Sequence, residues 1–241
     1  MRTLFFAVLI WLATAPSVLA CAIPLEGQVV QGGLLTGQVV PGTPVSVMGK
    51  PVRVSAEGHF LVAFSRDATE PVELKSGSVN CTLQPQKRTY KISRIDGLPP
   101  KKVPPRAPED LARIRADNAA IREVRRLDTA ATDFVGGFQW PVTGRLSGTF
   151  GAQRILNGKP RQYHNGVDVA APNGTPIAAA ASGRVVLVHQ DMFFAGKTVM
   201  LDHGHGLTSI YIHMSEITVK EGQRVKTGGT IGRVGMTGRA T

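Results

Sequence analysis

From Phe138 onward, short apolar runs alternate with glycine-bearing turns, and no interval between them is long enough to hold a packed crossover helix. This punctuation constrains the fold more than any other feature of the chain. Gly183-Arg184-Val185-Val186-Leu187-Val188 has the pattern of a buried strand. Thr198-Val199-Met200-Leu201 and Leu207-Thr208-Ser209-Ile210-Tyr211-Ile212 read as two more, joined by the turn Asp202-His203-Gly204-His205-Gly206. Gly222-x-x-Val225-x-x-Gly228-x-x-Ile231-Gly232 then places single apolar residues between turns. Neighbouring parallel strands need a crossover of a dozen or more residues, so the expected sheet is antiparallel or mixed. The 27 Gly and 16 Pro agree with a turn-rich, helix-poor chain.

The region 21–97 reads as a small all-β, sandwich-like domain. Its strands alternate apolar and polar positions at Val45-x-Val47, Val52-x-Val54, Phe60-x-Val62-x-Phe64, Val72-x-Leu74 and Val79-x-Cys81-x-Leu83. Nothing in it suggests chemistry, and His59 reads as a turn or surface residue. Residues 98–137 form a linker and one helix. Leu98-Pro99-Pro100 through Pro104-Pro105 favours an extended, semi-rigid spacer. Pro108 suits the first helical position, with Glu109 and Asp110 in the first turn. Leu111, Ile114, Ile121 and Val124 fall on one broad face that is expected to pack on a neighbour.

Residues 1–20 have the form of an export signal. Arg2 precedes an apolar run from Leu4 to Ala13, and Val18-Leu19-Ala20 offers a small-residue cleavage site. The run is too short to span a bilayer, so no transmembrane helix is expected in the mature chain. The expected location is the periplasm or cell envelope. There, the two cysteines favour a Cys21–Cys81 disulfide. The alternative is a lipid anchor on Cys21, because Val18-Leu19-Ala20-Cys21 loosely fits a bacterial lipoprotein box. A net charge of +11 suits a polyanionic surface, such as cell-wall polymer or anionic lipid. Nucleic acid is not an expected partner outside the cytoplasm, and no basic motif interleaved with aromatic residues is present.

The chemistry concentrates in two segments, Tyr163-His164-Asn165-Gly166-Val167-Asp168 and Ile210-Tyr211-Ile212-His213. A histidine and a carboxylate four residues apart share one face of a helix or a strand. The β-branched Val167 and Val169 favour the strand, and Gly166 between the pair leaves space for an ion. Imidazole nitrogen and carboxylate oxygen are ordinary zinc ligands, although the bare spacing also arises between ordinary surface residues. His213 ends a strand, where it either takes a backbone partner or handles protons beside a metal. Asp202 reads as a cap of its glycine-rich turn, with His203 and His205 structural or exposed. No His-Glu-x-x-His helix, Gly-x-Ser-x-Gly elbow or phosphate-binding loop is present.

In order, these pieces resemble the lysostaphin- or LytM-type zinc metallopeptidases, which share the duplicated hybrid motif fold. The match begins at Trp140-Pro141-x-x-Gly144 and Ser147-Gly148-x-Phe150-Gly151. It continues through His164-x-Gly166-x-Asp168, Gly174-Thr175-Pro176-Ile177 and Asp202-His203-Gly204-x-Gly206-Leu207 to Tyr211-x-His213-Met214-Ser215. It ends on Gly235-x-Thr237-Gly238-x-Ala240-Thr241. The resemblance makes 138–241 the metallopeptidase domain. It implies His164 and Asp168 as zinc ligands and His213 as catalytic. It implies cleavage of amide bonds in peptidoglycan peptides. In the family a His-x-His motif carrying a third ligand and a second catalytic histidine follows the Thr-Gly-x-x-Thr stretch. Its expected place is just past Thr241, so the 241-residue chain is expected to be truncated and inactive. The alternative is a non-catalytic relative that binds and activates other cell-wall hydrolases. A biotinyl- or lipoyl-carrier module shares the Gly-x-x-Val-x-x-Gly spacing, but Lys226 lacks the flanks of a modification site.

Overall fold

The computed structural model describes residues 21–97 and 107–239. The export signal at 1–20, the proline-rich stretch 98–106, and Ala240 and Thr241 at the end of the Thr-Gly-x-x-Thr match lie outside the described residues.

The N-terminal region supplies β1 (Leu25–Glu26), β2 (Leu34–Gln38), β3 (Val45–Val47), β4 (Lys50–Val52), β5 (His59–Ala63), β6 (Val72–Ser76) and β7 (Val79–Leu83). They form two antiparallel sheets, β1-β2-β5 and β4-β3-β6-β7. The alternation seen in the sequence turns Leu35, Phe60, Val62 and Leu74 into one buried core. Gly37 stands opposite Phe60, where a Cβ would meet the ring at 2.2 Å. Truncating Phe60 to alanine in such a core costs about 3–5 kcal/mol. Cys21 is disulfide-bonded to Cys81, so the chain's first described residue is tied to β7.

The next strand, β8 (Ile92–Ile95), leaves these sheets and serves the second half of the molecule. Helix α1 (Pro108–Val124) follows, with Pro108 in its first turn, Glu109 and Asp110 beside its positive end and Arg122 near its negative end. Of its expected apolar face, Val124 is buried while Leu111 remains 40% exposed. The helix packs along β14 (Gly183–Met192), and Asp117 accepts a hydrogen bond from the Phe193 N–H at 2.7 Å.

The remaining strands are β9 (Arg145–Gly148), β10 (Gln153–Leu156), β11 (Lys159–Pro160), β12 (Asp168–Ala170), β13 (Pro176–Ala178), β15 (Gly196–Gly204), β16 (Leu207–Met214), β17 (Glu216–Ile217), β18 (Arg224–Val225) and β19 (Thr230–Arg233). The central sheet has the order β16-β15-β14-β18, with smaller sheets β13-β19-β17 and β12-β9. All of these pairings are antiparallel. Strand β15 is buried on both faces for most of its length. Its Val199 and Leu201 meet Val185, Met214 and Ile231 in the main core. The fold is thus mainly β with one helix among the described residues, as the glycine punctuation implied.

Among the strand pairs of the described residues, one is parallel. β8 joins β10 in register Gln153↔Ile92 through Leu156↔Ile95, extending the β10–β11 hairpin into a three-stranded sheet. Among the described residues no helix is long and apolar enough to cross a membrane.

Candidate metal and catalytic site

The strand expected across His164 to Asp168 begins only at Asp168; the chain bends at Gly166, and His164 sits in the segment before it. The backbone groups of His164 find their partners in the turn after β9 instead. His164 N–H donates to Ala152 O, and His164 O accepts from Gly151 N–H, both at 2.8 Å. The pair nevertheless converges. His164 Nε2 lies 3.2 Å from Asp168 Oδ1, with the two side chains 33% and 53% exposed.

The other ring nitrogen decides how this contact is read. His164 Nδ1 lies 3.2 Å from Thr149 O. A carbonyl can only accept, so Nδ1 carries a hydrogen, and an Nε2 without one would aim its lone pair at the carboxylate. Two acceptors facing each other repel unless a cation or an extra proton stands with them. Two ligands about 2.1 Å from a tetrahedral ion stand about 3.4 Å apart, close to the spacing here. A histidine that ligates through one nitrogen and donates from the other to a carbonyl is the ordinary arrangement at protein metal sites.

The β9–β12 ladder supplies the space. Asp168 pairs with Gly148 and Val169 with Leu146, so β9 carries one extra residue at Ser147. Such bulges re-aim side chains. A Cβ on Gly148 would lie 2.1 Å from Asp168 Oδ2; glycine is what lets the carboxylate occupy this position. The donor types, the spacing and this cradle fit a zinc ion, for which His164 and Asp168 could supply two donors. Among the described residues no group of three His, Cys, Asp or Glu side chains could hold a metal.

His213 sits on β16, where the ladder with β15 also slips. Lys197 pairs with Met214 and Val199 with Tyr211, giving β16 one residue more than its partner. His213 occupies this bulge with φ at +61°, the left-handed region that a non-glycine residue visits at a cost of roughly 1 kcal/mol or more. Its N–H donates to Ala195 O at 2.7 Å, and its Nδ1 lies 2.8 Å from Thr237 O. By the same logic Nδ1 carries a hydrogen, which leaves Nε2 as the ring nitrogen turned to other partners. Among the described residues the hydrogen-bond partners of His213 are Ala195 and Thr237, not the His164–Asp168 pair.

The remaining histidines and acids have other employment. His203 is fully buried, with Nδ1 2.6 Å from Ser182 O and Nε2 2.8 Å from Ser209 Oγ. Burial holds its pKa below the ordinary histidine value, and the carbonyl of Ser182 opposes this only in part. Asp202 caps its turn by accepting from Gly204 N–H at 3.0 Å. His205 packs on Phe134, and both of its ring nitrogens are buried without a hydrogen-bond partner among the described residues. Glu221 accepts from Val188 N–H and Glu216 pairs with Arg233. Sequence reasoning missed three supports of the site. Thr149 and Thr237 act through backbone carbonyls, which no side-chain pattern signals. The third, Gly148, stood in plain view in the Ser147-Gly148-x-Phe150-Gly151 run.

Comparison with known proteins places this geometry in context. The profile of Peptidase family M23 matches residues 162–241. The solved structure of a putative peptidase M23 from Pseudomonas aeruginosa superimposes with a TM-score of 0.61 at 30% identity, covering 89% of this chain and 86% of that one. The peptidoglycan DD-endopeptidase ShyA of Vibrio cholerae is 40% identical over 106 residues, 43% of this chain and 24% of that protein. The murein hydrolase activator NlpD of Salmonella dublin is 28% identical over 130 residues, 54% of this chain and 33% of that protein. The aligned part of this chain thus spans a third or less of the length of these two curated relatives.

Proposed function

The chain belongs to peptidase family M23, and from that premise we propose that it is a zinc-dependent endopeptidase of the cell envelope that hydrolyses amide bonds in peptidoglycan peptides. The observation that carries this reading is the His164–Asp168 convergence, with Nε2 of His164 facing the carboxylate at 3.2 Å. Support also comes from the peptidoglycan endopeptidase among its relatives and from the net charge of +11, which suits an anionic wall.

His164 Nε2 and Asp168 would hold the ion, together with a further protein donor. Zinc, when bound, supplies Lewis-acid polarisation of the scissile carbonyl and of the attacking water. Thr149 O keeps the His164 ring in its Nδ1–H tautomer, and Gly148 leaves the carboxylate its place. His213, fixed as an Nδ1–H imidazole by Thr237 O, presents Nε2 as a proton acceptor. This orientation suits general-base assistance to the water, followed by return of the proton to the leaving amine. The bulge at His213 buys that orientation with a strained backbone.

A second reading is a non-catalytic M23 protein that binds and activates other wall hydrolases. It is favoured by the finding that only two donors converge among the described residues, and by the activator among the relatives. Incubation of the protein, expressed from its whole reading frame, with a defined cross-linked muropeptide separates the two. The enzyme reading expects cleavage that disappears in His164→Ala and falls at least about a hundredfold in His213→Ala. Zinc-loaded, folded protein that leaves the muropeptide intact yet accelerates an added hydrolase would establish the second reading.

A further inference from the structure

We infer that Arg66, in the N-terminal β domain, is a positioning residue for the His164 segment, so that the first domain is a working part of the metal site. Arg66 lies in the turn after β5 and is 9% exposed. Its Nε and Nη2 both donate to Gly151 O, at 3.0 and 2.7 Å. Its Nη1 pairs with Asp67 at 2.5 Å. The guanidinium stands over two rings, Tyr90 at 4.4 Å and Tyr163 at 4.8 Å from their centroids. Arginine alone combines a rigid donor fork with a flat face that stacks on aromatics.

Both groups that Arg66 holds on the second domain lead directly to His164. Tyr163 is its chain neighbour. Gly151 accepts from Arg66 through its carbonyl while its own N–H donates to His164 O. The hydrogen bonds of His164, from its backbone and from Nδ1, run to residues 149–152. That turn is wedged against the first domain. Gly151 has φ at +80° and no room for a Cβ beside Tyr90, whose ring also meets Phe150 edge-on. Arg66 therefore acts on the turn from behind while the turn orients the imidazole from the front.

Arg66 is not needed merely to keep the two domains together. The β8–β10 pairing and the Arg53–Asp128 ion pair at 2.8 Å also join the first domain to the rest of the molecule. A role in simple docking would thus leave the imidazole unaffected when Arg66 is replaced, whereas a positioning role would not.

The inference rests on the zinc reading for its consequence but not for its geometry, and the experiment separates them. Arg66→Gln, Arg66→Lys and the native protein are compared by zinc affinity, using a chromogenic chelator, and by the imidazole 15N shifts of His164 in metal-free protein. The expected result is zinc binding weakened roughly 10–100-fold in Arg66→Gln, with loss of the defined Nδ1–H tautomer and no rescue by lysine. Unchanged affinity together with an unchanged tautomer in Arg66→Gln overturns the inference. If native protein binds no zinc, the zinc reading fails, and the 15N signature alone decides: altered in Arg66→Gln it upholds the positioning role, unaltered it refutes it. Should Arg66→Gln fail to fold, Tyr163→Leu removes the stacked ring without touching the buried cation and is judged by the same two readouts.

Discussion

At Gly148 a single hydrogen atom stands where any other residue would displace a proposed zinc ligand. The backbone there does not need glycine's freedom, because no left-handed φ is involved; only the carboxylate of Asp168 does. Gly148→Ala should therefore separate function from folding. Its melting temperature is expected to change by no more than a few degrees, while zinc affinity falls about tenfold or more. Native-like zinc binding in that variant, measured by chelator competition, would show that Asp168 does not need this cradle. The His164–Asp168 pair was legible in the sequence as a spacing, and its convergence follows from short range. What could not be read was the tautomer, because Thr149 O and Thr237 O are main-chain atoms delivered by tertiary structure. The strand expected through His164 is likewise cut short at Gly166, where its neighbours in the β9 turn outcompete a regular ladder.

Among the elements, β15 carries the heaviest demand, since both of its faces are buried and it brings His203 into the core. His203 bridges Ser182 on one side and Ser209 on the other, and Ser209 Oγ lies 3.2 Å from the Tyr211 hydroxyl. Burial lowers its pKa from the ordinary value of 6.5. Between the folded value and 6.5 the unfolded chain binds more protons than the folded one, so stability rises with pH through that window. The account predicts full stability above pH 6.5 and a progressive loss on acidification, seen as a falling unfolding temperature. His203→Gln should flatten that dependence, and an identical slope in the variant would remove His203 from the account. The strands themselves were readable because alternation and glycine turns are local signals. Helix α1 was readable from Pro108 and its acidic first turn, but its apolar face was only partly used. Leu111 stays exposed while Asp117 is enlisted to cap the β14–β15 turn.

The whole molecule is two β units joined by a parallel pairing that no local pattern announces. β8 and β10 lie far apart in sequence, and their register is set by how the domains dock. The same holds for Arg66, which reads in the sequence as one more surface cation among 28 Lys and Arg. The disulfide, by contrast, was legible in the presence of just two cysteines. It closes a loop of 60 residues, for which chain-entropy reasoning gives a stabilisation of about 4 kcal/mol. Cys81→Ser should lower the stability of the first domain by that amount in denaturant titration, with little effect on the second. Because the sulfur of Cys21 is engaged in this bond, intact-mass analysis is expected to show a gain of two hydrogens on reduction. The central claim, however, is that His164 and Asp168 hold a metal, and the most direct measurement is zinc content per folded chain. The account predicts about one zinc in the protein expressed from its whole reading frame, and almost none in His164→Ala that retains its β-sheet signature. Intact, folded protein without zinc, or undiminished zinc in His164→Ala, would contradict it.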